Sequence, residues 1–174
     1  LIPLLAIYAA GTAGDPTRKL IISGMGASWA LRLGTSLALR VGSHHPKEDV
    51  RYAVMREKWR ARPGLMFFLF FQAQAILITL LSLPHLLAMK NPTPGLALVE
   101  WAGILVWSIG MIGETAADWQ LKRFKGDPAN KGRVCNSGLW RCSRHPNYFF
   151  ESVIWWGFWL FACGSPWGWA TIHA

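Results

Sequence analysis

Charge is scarce in this sequence, and acidic charge is scarcest. Only 16% of its 174 residues are charged, nine acidic against 18 basic. Soluble domains carry roughly 25% charged residues, so an ordinary water-exposed surface is a poor fit. Cysteine is scarce as well. Cys135, Cys142 and Cys163 show no zinc-type spacing, and their odd number excludes a closed disulfide framework. The adjacent His44 and His45 lack a supporting cysteine and read as solvated, so no metal site is expected. Repeats with a period of about 20–50 residues and low-complexity tracts are missing too, which excludes a solenoid.

Apolar residues are abundant. They make up 52% of the chain, include eleven tryptophans, and come in blocks. Leu65 to Met89 (LMFFLFFQAQAILITLLSLPHLLAM) is the clearest block, longer than the roughly 20 residues a helix needs to cross a bilayer core of about 30 Å. Its Gln72 and Gln74 are expected to face other helices, where amides find partners. Leu20 to Val41 and Leu96 to Ala116 are also long enough to cross. Between the last two spans lies the tight turn KNPTPG. Leu1 to Ala10 has neither a basic n-region nor a cleavage-like site. It reads as the end of a span that begins upstream, and the chain reads as a fragment of a longer protein.

The net charge of +9 would suggest nucleic acid in a soluble protein. The placement of the bases points elsewhere. Arg40, Lys47, Arg51, Arg56, Lys58, Arg60 and Arg62 fall in one loop. Lys122, Arg123, Lys125, Lys131, Arg133, Arg141 and Arg144 fall in a second. Two spans separate these loops, so both lie on one side, and the charge bias makes that side cytoplasmic. No nucleic-acid partner is expected. The fold expected is all-α: a single polytopic transmembrane bundle of about four to five spans. Those spans cover residues 1–10 (partial), 20–41, 65–89, 96–116 and 147–164, with basic loops at 42–64 and 117–146.

Polar residues gather where the last span begins. GLWRCSRHPNYFFE, Gly138 to Glu151, runs directly into VIWWGFWLF. Pro146 suits the first turn of a helix, and the N–H groups of such a turn favour an anion. Arg141, Arg144 and His145 precede it, while Asn147 and Glu151 share a face at i, i+4. Asp118, Lys122 and Lys125 form one helical stripe that Glu114 extends by a turn. Arg32 stands inside a span, where a charge must face the bundle interior or a wet cavity. Together these residues describe a membrane-edge site for an anionic, phosphorylated cofactor. They leave the reaction open.

On these residues the chain resembles the bacterial membrane proteins related to steroid 5-alpha-reductase. These are grouped as a domain of unknown function (the 1295 type) in the sterol-reductase and isoprenylcysteine-methyltransferase-like superfamily. The resemblance runs from about Trp29 to Gly157. It rests on LRLG (Leu31 to Gly34), EDVRYAVMR (Glu48 to Arg56), LSLP (Leu81 to Pro84), ETAADWQLKRFK (Glu114 to Lys125) and the GLWRCSRHPNYFFE block followed by WWG. It implies a helical membrane fold that clasps NADPH between the cytoplasmic loops and the C-terminal spans. Asp118 and Arg133 fall at cofactor-contacting positions, and Asn147 and Glu151 where the nicotinamide half is held. Arg144, His145 and Tyr148 occupy the core motif; Arg32, Arg51 and Tyr52 are motif positions of the bacterial group. The implied activity is hydride transfer to a lipid-soluble, steroid-like or isoprenoid-like enone in the inner membrane. The sequence departs from the reductases in two respects: Trp29 stands where they place the tyrosine that holds the ketone, and the relatives continue into another span and a basic tail with tyrosines. Two other readings stay open, an S-adenosylmethionine-dependent lipid methyltransferase and a non-catalytic membrane subunit with protein partners.

Overall fold

Proline marks where the helices begin. Its missing N–H costs nothing in a first turn, where that group has no partner. Proline stands in the first turn of α1 (Ile2–Gly11), α4 (Pro63–Leu81), α5 (Leu83–Lys90) and α7 (Pro146–Ala162). It also opens α2 (Pro16–His44). The remaining helices are α3 (Val50–Lys58) and α6 (Leu98–Gly126). Short 3-10 turns cover Pro128–Asn130, Gly138–Arg141 and Gly168–His173. The computed structural model describes residues 1–44 and 50–173, without the side chains at 40, 43, 44, 50 and 173. The His44–His45 pair and the first two residues of EDVRYAVMR lie outside that description. Among the described residues the fold is helical, without strands.

The tightest packing is between α6 and α7. Gly103 and Gly110 on α6 and Gly157 on α7 let the two backbones nearly touch. A Cβ on Gly110 would stand 2.7 Å from the Ile154 nitrogen, and one on Gly157 2.6 Å from the Trp107 nitrogen. Small residues serve this purpose at helix contacts in membranes. Below the seam, α1, α2, α5 and α7 enclose a core of Leu5, Ile22, Met25, Ala88, Met89, Ile154, Phe158 and Phe161.

A buried ion pair closes the same end of the bundle. Arg18 at the start of α2 donates to both carboxylate oxygens of Glu100 in α6, at 2.5 and 3.1 Å. Its remaining N–H groups donate to the carbonyls of Asn91, Thr93 and Gly95. Asn91 in turn donates to the Gly164 carbonyl at 3.0 Å. One arginine therefore holds the whole Pro/Gly turn, and through it the end of α7.

The structure departs from the sequence expectations in three places. The 65–89 span is not one straight helix. It breaks at Ser82, whose hydroxyl donates to Thr79 O at 2.7 Å and meets the Tyr8 hydroxyl at 2.8 Å, and Pro84 offers no N–H to continue the ladder. Gln72 and Gln74 do not face other helices; both are exposed. The reason is the position of α4, which meets α5 at one end and, through rings such as Tyr52 against Phe67, α3 at the other. The second basic loop starts later than expected, because α6 runs on as helix to Gly126. Among the described residues, two helical stretches are long and apolar enough to cross a membrane, Pro63–Lys90 and Leu98–Gly126.

Candidate functional site

The far end of α6 and the first turn of α7 frame the loop that joins them, residues 127–145. Two motifs singled out in the sequence are what fix this loop. Gln120 of ADWQL accepts a hydrogen bond from the Leu139 backbone N–H at 2.9 Å. Trp140 of GLW donates from its indole to the Ala117 carbonyl, also at 2.9 Å. Gly138 has φ +56°, and a Cβ there would lie 2.6 Å from the Gln120 amide oxygen. The positive φ favours glycine here, and a larger residue would push the Gln120 amide from its place. Asn130 ties the loop back to α6 by donating to Phe124 O at 3.1 Å. The sequence reading gave Gln120, Gly138 and Trp140 no role. Their clustering in the two most specific blocks was the available signal.

The pinned loop arches over a cleft of about 1370 Å³. Its lining includes Lys125, Lys131, Arg133, Arg141 and Arg144, with His145 and Tyr148 stacked on each other 5.4 Å apart. No Asp or Glu is among the described residues that line it. Cys135 and Cys142 line it too. At its inner edge the amide oxygen of Asn147 is buried and has no hydrogen-bond partner. A buried acceptor left unpaired is costly, about 1–3 kcal/mol, and such an atom suits a donor brought by a ligand.

One turn further in lies a second polar layer. Arg32 of α2 reaches Glu114 and Asp118 of α6, each at 2.6 Å. Glu114 is buried and Asp118 is more open. Glu151, one turn along α7 from Asn147, is close enough for its charge to act on Glu114. Arg32 thus faces α6, and its partners are two of the predicted site acids.

The predicted residues accordingly fall into three groups. Arg133, Arg141, Arg144, His145, Asn147 and Tyr148 line the cleft. Arg32, Glu114, Asp118 and Glu151 form the polar layer beneath. The remaining three are not in the cleft lining. Lys122 is exposed and absent from the cleft lining, although Lys125 of the same stripe lies in it. Arg51 and Tyr52 sit on α3, where the Tyr52 ring packs against Phe67 and Phe71 of α4.

The family described as "Protein of unknown function (DUF1295)" matches residues 1–174. The chain belongs to that family. It is 28% identical over 176 residues to an uncharacterised protein of Schizosaccharomyces pombe, covering 88% of this chain and 51% of that protein. A shorter stretch of 46 residues is 37% identical to a probable O-methyltransferase of Ustilaginoidea virens, covering 26% of this chain and 16% of that one. The chain thus spans about half the length or less of these curated relatives. No solved structure matches.

Proposed function

We propose that this DUF1295 chain forms the membrane-embedded part of an NADPH-dependent reductase acting on a lipid-soluble substrate. Its helices would form a bundle of about four to five spans, with both basic loops cytoplasmic. The observation that carries the reading is a basic cleft, with no Asp or Glu among the described residues that line it, that includes an unpaired buried amide oxygen. Arg133, Arg141, Arg144 and the two lysines suit the phosphates of such a cofactor, since guanidinium groups bind phosphate in a bidentate fashion. The start of α7 adds its own N–H groups. The Asn147 oxygen suits the carboxamide N–H of a nicotinamide. When bound, NADPH supplies a hydride to an electron-poor carbon. The chain's own part is to neutralise the phosphates, orient the ring from Asn147, and keep the adjoining apolar space dry.

A second reading draws on the short match to the probable O-methyltransferase. It makes the cleft an S-adenosylmethionine site. The charge of the cleft favours the first reading, because five cations repel a sulfonium and attract phosphates.

The test is binding of NADPH and of S-adenosylmethionine to the chain in nanodiscs. Arg144→Ala removes a charge-assisted contact worth roughly 1.5–3 kcal/mol. NADPH affinity should therefore fall about ten- to a hundredfold, and should weaken with salt in the parent protein. Asn147→Ala should weaken it too. S-adenosylmethionine binding without NADPH binding would move the chain to the methyltransferase reading. Binding of neither would leave a non-catalytic membrane subunit as the better account.

A further inference from the structure

A second pocket, of about 390 Å³, adjoins the cleft and shares Phe124 and Asn130 with its lining. Its own lining includes Trp119 and Arg123 of α6 and Asp127 and Ser137 of the loop. Arg123 and Asp127 bring opposite charges to this pocket, yet neither forms an ion pair among the described residues. The Arg123 guanidinium lies over the Trp119 ring, 5.5 Å from its centroid. One carboxylate oxygen of Asp127 accepts from the Ala129 N–H at 2.9 Å, which leaves the other open.

The pocket sits at the end of a helix long and apolar enough to cross a membrane. Leu105, Ile109, Ile112, Trp119 and Arg123 are all exposed. At about 100° per residue they fall within about 80° of arc. That face is opposite Gly103 and Gly110, which meet α7. A span that starts at Leu96 uses up the bilayer core by Ala116. Trp119 then stands about 5 Å and Arg123 about 10 Å further out, at about 1.5 Å per residue. Lipid headgroups occupy roughly the first 5–8 Å beyond the core. A helical side chain leans toward the N-terminus of its helix, and Arg123 does so, since it reaches back onto Trp119. The cation is thus held at the depth of lipid phosphates, at the head of an apolar track.

We propose that this pocket binds the headgroup of a phospholipid that carries both charges, its phosphate at Arg123 and a primary ammonium at Asp127, with an acyl chain along the exposed stripe of α6. A guanidinium suits the phosphate. The Asp127 carboxylate and the Ser137 hydroxyl are acceptors, so they favour an ammonium with N–H groups to donate over a quaternary one that has none. A headgroup with negative charge alone meets repulsion from Asp127. The lipid is a resident of the fold and not a substrate. The proposal rests on the reading of α6 as a span and is independent of the cofactor in the cleft.

The test places the chain in nanodiscs of phosphatidylethanolamine, phosphatidylcholine and phosphatidylglycerol in equal parts. Lipids that stay bound on release into detergent are counted by native mass spectrometry. Entry into the nanodiscs checks the span: failure there overturns both the span and the proposal, whereas entry without lipid choice overturns the proposal alone. Phosphatidylethanolamine should be retained about two- to fivefold over the other two, the range expected of charge contacts open to water. Arg123→Gln should lower the retention of all three. Asp127→Asn keeps an oxygen for the Ala129 N–H and should erase the preference. Lys122→Gln removes a charge from the same turn but outside the pocket lining, and should change neither. Hydrogen exchange along α7 equal to that of the parent shows that each variant is folded. Three further results would overturn the proposal: a preference for phosphatidylglycerol, equal effects of Lys122→Gln and Arg123→Gln, or displacement of the lipid by glycerophosphoethanolamine, which has the headgroup without the chains. The last would assign the pocket to a soluble phosphate ester.

Discussion

Arg18 and Glu100 are 82 residues apart and meet through two hydrogen bonds with almost no exposure to solvent. Glu100 also accepts from the Ala97 N–H at 2.7 Å, so the same carboxylate caps α6. Removing one member leaves the other buried and charged, which costs about 3–5 kcal/mol. Arg18→Met should therefore lower thermal stability sharply in detergent. The double variant with Glu100→Leu should recover part of the loss, although the α6 cap stays missing. Scanning calorimetry of the four proteins gives the coupling. A single variant as stable as the parent would show that the pair is not what holds this end together.

The α6–α7 seam makes a separate prediction. Gly110→Leu places a side chain where the Ile154 nitrogen lies 2.7 Å from the Cβ position. Overpacking typically costs about 1–3 kcal/mol, and here the obstacle is backbone, which yields less than a side chain. The folded fraction on size exclusion should fall. Gly24→Leu is the control, since nothing lies within 4 Å of its Cβ position. Equal behaviour of the two would sink the close-contact account.

Gln120→Ala should leave the bundle intact and loosen the loop. It removes an acceptor worth about 1 kcal/mol net. Hydrogen exchange should accelerate at Leu139 and its neighbours while the amides of α7 keep their protection. Unchanged exchange at Leu139 would mean that Gln120 is not its anchor.

Arg32 offers a fourth test. Arg32→Ala leaves Glu114 and Asp118 without their shared cation. The chain should lose stability by about the few kcal/mol of a broken buried pair, discounted because Asp118 is partly open. Arg32→Ala combined with Glu114→Gln should be less destabilised than Arg32→Ala alone. Chemical denaturation in mixed micelles measures the difference, and strict additivity would argue against a shared cluster.

These relationships were unequally legible in the sequence. The length of the apolar runs marked α2, α4 and α6, and Pro146 marked the start of α7 to the residue. The cleft cations were legible because Arg141, Arg144 and His145 sit next to a helix start, and local chemistry is written locally. Arg18 and Glu100 were not, since no spacing rule pairs residues in different helices. Gln120 and Trp140 stood inside recognised blocks, yet their work is to bind backbone groups, which leave no mark on composition. Gln72 and Gln74 misled for a related reason. Amides in an apolar span normally seek partners, but α4 meets too little of this chain to provide any.

The glycine seam has a mechanical consequence. Where two backbones touch with no side chains between them, there are no rotamers to rearrange and no soft layer to shear. Sliding between α6 and α7 would require whole turns to unseat. The floor of the cleft, carried by α7, therefore keeps a fixed place against α6.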